Sequence, residues 1–220
     1  MKVLVSGVAG LVGARLAEVL VEGGHRVLGF DRLDDEEFEE AQRARLVDLM
    51  GEERFTFEES DFLDQKNLDS LLKRFSPDAV VHLATRRDLF WADQHPLDCL
   101  RQHAEGAVRI MTACHDRGVA HLVFRSSHHV YGGSRRYPFV ESDPVDRPLS
   151  MVGASLRAAE LALFSLAHSS PVNVTVARLF CVYGPRQGAA GLVPVRNVVR
   201  LGDGAAATVI ERFAPGAAGA

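Results

Sequence analysis

Short apolar runs alternate with segments of helical period along most of the chain. Residues 2–6 (KVLVS) form a continuous apolar run of the buried-strand kind, and residues 11–21 place apolar side chains at helical spacing. The same reading predicts strands at 26–30, 55–58, 79–83, 121–125 and 173–179. It predicts helices at 34–50, 64–75, 98–117 and 150–168. Strands that alternate with helices of this length are joined by crossovers, and near-continuous apolar strands are covered on both faces. The predicted class is therefore α/β, a doubly wound parallel sheet. Past residue 186 the pattern changes. A further short helix is expected at 192–201, and the Ala/Gly-rich stretch after it predicts a flexible tail.

Composition narrows the picture. The chain has 220 residues, 47% of them hydrophobic and 25% charged, with a formal net charge of -4, which suits one globular unit with a small appendage. That balance excludes a disordered chain, and slight acidity argues against a nucleic-acid partner. Only Lys2, Lys66 and Lys73 are lysines among the 25 basic residues. Cys99, Cys114 and Cys181 show neither a disulfide framework nor a metal-ligand rhythm, so no metal is expected and the cytoplasm is the expected compartment. Gly7, Gly10 and Gly13 interrupt the N-terminal apolar stretch and Arg15 closes it, unlike a signal peptide. No run approaches the ~20 apolar residues of a spanning helix, so no membrane is expected.

The chemistry begins at the first strand. It runs into Gly7-x-x-Gly10-Leu11-Val12-Gly13 and then a helix. Gly7 suits a tight turn, Gly10 lets the backbone approach a pyrophosphate, and Gly13 permits close helix–sheet packing. The helix N-terminus beyond offers free N–H groups and a positive dipole end to phosphates. Asp31, at the end of the second strand, can accept hydrogen bonds from an adenosine ribose and would repel a 2′-phosphate, which favours NAD over NADP. Arg32 beside it works against that preference. Three glycines alone also serve plain packing, and it is the strand, helix and acid around them that point to a dinucleotide.

Taken with SGVAGLVG (6–13), FDRLD (30–34), ESDFLD (59–64), VVHLAT (80–85), SSHHVYG (126–132) and RLFCVYGPR (178–186), the chain resembles the extended short-chain dehydrogenase/reductase family. Within it the likeness is to the NAD-dependent epimerase/dehydratase group, and there to nucleotide-sugar epimerases of the UDP-glucuronate 4-epimerase kind. The resemblance implies a dinucleotide-binding Rossmann domain over 1–186, with 187–220 a remnant of a substrate lobe that is otherwise largely absent. It implies that Asp61 and Phe62 flank the adenine, and that Leu83, Ala84 and Thr85 line the cofactor groove. It places Ser127 near the reacting carbon, and implies a nucleotide-sugar ligand and a homodimer formed through helices 98–117 and 150–168.

Departures from the family pattern are as informative. The family's Tyr-x-x-x-Lys, an acid/base and the cation that lowers its pKa, aligns with Val152-Gly153-Ala154-Ser155-Leu156. Neither Val152 nor Leu156 can exchange a proton. His103 replaces the usual Asn of the long helix, and Cys181 stands where relatives place Thr or Asn. Two readings remain open: a dinucleotide-binding member with impaired or altered catalysis, and an active epimerase or dehydratase with a substitute acid/base such as His128 or His129. Alternation along a strand would point those two rings to opposite sides, so that at most one faces the pocket. The plain alternative is that they pack locally. Ser127 is expected to hydrogen-bond within the pocket, Tyr131 and Tyr183 to be structural corners, and His82 to be a buried, satisfied histidine. Arg86, Arg87 and Arg125 are candidate phosphate holders, with a solvated loop charge the default for the first two.

Overall fold

The structure, a computed structural model, describes residues 1–33, 39–85, 88–134 and 138–182, together with the backbone of two strands at Val195–Val199 and Ala207–Phe213. Six strands, β1 (Lys2–Ser6), β2 (Arg26–Asp31), β3 (Phe55–Glu59), β4 (Ala79–His82), β5 (His121–Ser127) and β6 (Asn173–Leu179), pair in parallel in the order β3-β2-β1-β4-β5-β6. The order reverses between β1 and β4. Lys2 pairs with Arg26 on one side of β1, and Val3 with Ala79 on the other.

Both faces of this sheet are buried, as its apolar strands require. On one face Val3, Val5 and Val27 pack with Ala14, Ala17 and Val21 of α1 (Leu11–Glu22) and with Leu46 and Leu49 of α2 (Glu39–Met50). On the other, Leu4, Val80, Leu122 and Phe124 meet α3 (Gln65–Phe75), α6 (Gly106–Asp116) and α7 (Met151–His168). A fully buried Leu, Val or Phe contributes roughly 1.5–3 kcal/mol, so these two layers supply the bulk of the stabilisation.

Helix ends follow their local chemistry. The Asp64 carboxylate accepts the N–H groups of Lys66 and Asn67 at the start of α3, and the Ser150 hydroxyl accepts Gly153 N–H at the start of α7. The helix expected at 98–117 is observed as α5 (Pro96–Leu100), one π-helical turn (Arg101–Glu105) and α6 in unbroken succession. A short helix, α4 (Leu89–Gln94), precedes them. It has no counterpart in the sequence reading, because six residues are too few to show a period.

Beyond β6 the expectation is corrected. β7 (Val195–Val199) replaces the helix expected at 192–201, and β8 (Ala207–Phe213) falls inside the expected tail. β8 runs parallel beside β6, and β7 antiparallel to β8. Val195, Val198 and Val199 in β7 and the run Thr208-Val209-Ile210 in β8 are β-branched, which suits a pleated strand better than a helix. The rest of 187–220 lies outside the described residues.

Candidate functional site: the cleft at the sheet's switch point

A cleft of about 380 Å³ opens where the strand order reverses, at the carboxyl ends of β1, β2, β4 and β5. Gly7, at the end of β1, has φ +72°, and a Cβ there would lie 2.5 Å from the Ala84 nitrogen. A Cβ on Gly13 would lie 2.1 Å from the Gly7 carbonyl oxygen, so this spacing of glycines is enforced by backbone packed on backbone. Gly10 is different. It meets only the Gly7 oxygen, at 3.2 Å, and otherwise faces open space along the cleft.

Gly10 is also the N-cap of α1, with no side-chain cap and no acidic residue in the first turn. The helices α3, α4 and α7 are capped by Asp64, Asp88 and Ser150, whereas α1 leaves its first N–H groups to the cleft. Leu11 and Val12 lie on that same rim, with Gly13 just beyond. An uncapped N-terminus of this kind suits an anion.

On the β2 side, Asp31 Oδ2 accepts Ala9 N–H at 2.9 Å and its Oδ1 accepts Arg32 N–H at 2.9 Å, which ties the carboxylate to the glycine turn. Arg32 donates to Asp61 Oδ2 at 3.0 Å. The guanidinium is thus turned towards a carboxylate. Asp61 and Phe62 form the wall beside it, and Leu83, Ala84 and Thr85 the wall on the β4 side. The geometry therefore gathers all twelve residues expected to surround a dinucleotide, from Gly7 to Thr85, into one cleft.

Four further residues line it. Gln42 on α2 and Gln102 on the π-helical turn carry no local motif, whereas Leu63 falls within the 59–64 stretch. Arg125 did leave a signal, a cation inside the apolar run HLVFRSS. It is 5% exposed and donates to the carbonyl oxygen of Thr85 at 3.4 Å and, more closely, to the Thr85 hydroxyl. Arg86 and Arg87 lie outside the described residues, as does Tyr183.

His82 is buried but not satisfied. Its Nδ1 stands 2.6 Å from Ser6 Oγ, while Nε2 has no hydrogen-bond partner among the described residues. Because Ser6 Oγ already accepts Leu83 N–H at 3.2 Å and Ala84 N–H at 3.5 Å, both its lone pairs are taken, its own proton goes to Nδ1 and the ring proton sits on Nε2. Burial, with smaller contributions from His103 and Arg125, pushes the His82 pKa down to about 3, so the ring is neutral.

Of the three candidate catalytic residues, Ser127 ends β5 and His128 and His129 follow it, and none of them lines the cleft. Ser127 is buried, and its hydroxyl accepts His129 N–H at 3.5 Å, capping a 3-10 turn at His128–Tyr131. The strand has ended there, so the alternation expected of His128 and His129 is not observed. Their rings lie together, 4.3 Å apart, and His128 also stacks on Phe180 at 5.2 Å. Tyr131 is a buried corner whose hydroxyl accepts Arg178 NH1 at 3.1 Å. Cys181 is exposed, whereas Cys99 and Cys114 are buried. Val152 is 0% exposed and Leu156 1%, both within the apolar cluster beneath α7. A polar group, Ser155, lies between them and turns to His103 Nδ1 at 2.7 Å.

The family model of the NAD dependent epimerase/dehydratase family matches residues 3–209. The UDP-glucuronate 4-epimerase of Thermodesulfobacterium geofontis is 34% identical over 182 residues, 83% of this chain and 56% of that protein. A UDP-glucuronic acid 4-epimerase from Bacillus cereus, solved in complex with NAD, superposes with a TM-score of 0.76 at 25% identity, covering 85% of this chain and 59% of that one. A UDP-glucose 4-epimerase from Thermotoga maritima, solved with UDP-glucose, gives a TM-score of 0.76 at 26% identity over 87% and 59% of the two chains. The chain spans about half the length of the curated relatives it matches.

Proposed function

This chain belongs to the NAD-dependent epimerase/dehydratase family, and from that premise we propose that its cleft binds NAD without the proton-transfer pair that epimerisation of a nucleotide sugar uses. The observation that carries the reading is the cleft itself, with its uncapped α1 N-terminus between Asp31 on one side and Thr85 on the other. The first N–H groups of α1 hold the pyrophosphate, and Asp31, already oriented by Ala9 N–H, accepts from the adenosine ribose. The Arg32–Asp61 pair disfavours a 2′-phosphate, so NADP binds less well. When bound, NAD supplies a hydride acceptor. Moving the accompanying hydroxyl proton falls to the protein, and there Val152 and Leu156 offer only hydrocarbon, buried away from any ligand. Losing general acid–base catalysis removes roughly 10²–10⁴-fold of rate.

A second reading keeps the chain an active epimerase or dehydratase, with His128 or His129 as the replacement acid/base. Its support is their position directly after β5, at the carboxyl edge of the sheet. The stacking of the two rings on each other, and of His128 on Phe180, speaks for a packing role instead. The proposed compartment is the cytoplasm. Leu97 and Leu100 on α5 and Leu161 and Phe164 on α7 are exposed on neighbouring helices, which supports a homodimer with these faces together.

Calorimetric titration of nucleotide-stripped protein with NAD⁺ tests the central claim. A saturable heat supports it, and no binding at millimolar concentration sinks it. Assay of the loaded protein with UDP-sugars separates the two readings, since turnover at the rate of active relatives would rule out the silent one.

A further inference from the structure

Gly106 begins α6, and its backbone there is ordinary right-handed helix, with φ -58° and ψ -44°. Any residue adopts that conformation, and glycine is among the least favourable choices for it. What the position needs is space. A Cβ on Gly106 would lie 2.5 Å from Phe62 Cε2 and 3.0 Å from its Cδ2, closer than packed carbon atoms approach. The helix therefore gives up stability where the Phe62 ring comes against it.

The ring has little freedom elsewhere. The His82 ring packs against it in a T-shaped contact, with centroids 5.0 Å apart and planes at 69°, and His82 is itself held by Ser6 Oγ at 2.6 Å. The backbone of Phe62 lies in a turn in which Asp61 Oδ1 accepts Leu63 N–H at 2.8 Å and the Asp61 carbonyl accepts Asp64 N–H at 3.1 Å. The same Asp61 carboxylate holds Arg32, which follows Asp31 at the end of β2. The ring thus stands on the side of the cleft that Asp31 marks for the adenosine half of a dinucleotide. Phe62 is 8% exposed and lines the cleft, whereas Gly106 is buried and does not. A ring pushed off α6 has the cleft to move into.

We propose that Gly106, a residue outside the cleft, sets the room the cleft leaves for the adenine base by letting the Phe62 ring sit back against α6. This rests on the reading of the cleft as an NAD site, and adds to it a positioning residue that acts on the base through another side chain. The chemistry selected is a flat, uncharged heteroaromatic base beside an apolar wall. A side chain at position 106 would leave the ring in the space that base requires.

Calorimetric titration with NAD⁺ of wild type, Gly106→Ala, Phe62→Val and the double variant tests this. Valine lacks the ring atoms that a Cβ at position 106 would strike, and the glycine turn and Asp31 keep the binding of Phe62→Val measurable. Gly106→Ala should weaken NAD⁺ about tenfold or more, as overfilling a packed site does. Its stoichiometry should be unchanged and its Tm within a few degrees of wild type, since alanine favours the helix. In the Phe62→Val background the same Gly106→Ala change should alter NAD⁺ affinity by less than about twofold. A lower Tm or stoichiometry with the affinity of the folded protein unchanged is what a merely structural glycine would give, and it overturns the proposal. So does an equal loss of affinity with and without the ring, which routes the effect around Phe62. A Gly106→Ala chain that does not fold, beside a double variant that does, overturns it as well, because the ring then has no way out into the cleft. Failure of the wild type to bind NAD⁺ at all instead overturns the dinucleotide reading, and this role of Gly106 with it.

Discussion

Glu160 on α7 and Arg178 on β6 form a two-point ion pair in the interior: Arg178 Nε reaches Glu160 Oε1 at 3.0 Å and NH2 reaches Oε2 at 2.9 Å. Glu160 is 0% exposed. Its remaining acceptor capacity is taken by the Ser126 hydroxyl at 2.6 Å and by Arg157 NH1 at 3.0 Å. Through Arg178 and Ser126, Glu160 therefore ties α7, the helix with the altered catalytic positions, to β6 and β5.

Removing one partner of such a pair strands the other charge. Glu160→Gln keeps the shape and should cost roughly 3–5 kcal/mol in urea unfolding, lowering Tm by about 10 °C. Arg157→Ala should cost under about 1 kcal/mol, because that guanidinium is partly solvated. Equal effects of the two substitutions would mean that the pair contributes little.

His82 sets a pH dependence with a definite sign. Its folded pKa of about 3 lies below the ordinary histidine value of 6.5, so between those two pH values the unfolded chain binds a proton that the folded chain does not. Stability is fully present above pH ~6.5 and falls as the pH drops towards 3, by up to about 1.4 kcal/mol per pH unit. Unfolding free energies of wild type and His82→Gln, measured from pH 7 to 4, should diverge by that slope. Parallel curves would count against a neutral buried ring.

The glycine turn separates folding from binding. Gly13→Ala forces a Cβ into the Gly7 carbonyl and should destabilise the chain by at least about 2 kcal/mol. Gly10→Ala meets only one atom, at 3.2 Å, so its Tm should stay within a few degrees of wild type. Its methyl group enters the space above the helix N-terminus, and NAD affinity should fall about tenfold or more. Unchanged affinity in Gly10→Ala would remove the pyrophosphate from this turn.

Nucleotide choice should respond to Asp61. Asp61→Asn removes the carboxylate charge that Arg32 pairs with, so the guanidinium is held less strongly away from a 2′-phosphate. The NADP-to-NAD affinity ratio should rise about tenfold, with Asp31 still opposing it. A ratio that does not move in parallel titrations would place the adenosine ribose away from Arg32.

Much of the fold was legible because its causes are local. The strands at 2–6 and 173–179 appear in the structure with the bounds the apolar runs predict, and Asp64 and Ser150 start their helices as capping residues do. The three glycines could be read as a turn because each sits where a side chain would strike backbone or fill the cleft. The end of the chain departs from its Ala/Gly-rich composition, because the β-branched residues within it pair as strands.

The sequence by itself determined the order of elements, the parallel sheet and the residues of the cleft that belong to contiguous motifs, because hydrophobic periodicity and turn chemistry act over a few residues. Tertiary structure alone decided the rest. It brought Gln42, Gln102 and Arg125 to one cleft, turned His128 and His129 onto each other, left His82 Nε2 without a partner among the described residues, and buried Val152 and Leu156 against the core. Each of these depends on which distant segment packs against the residue, and that is set by the strand order and the layer above it rather than by any neighbour in the chain.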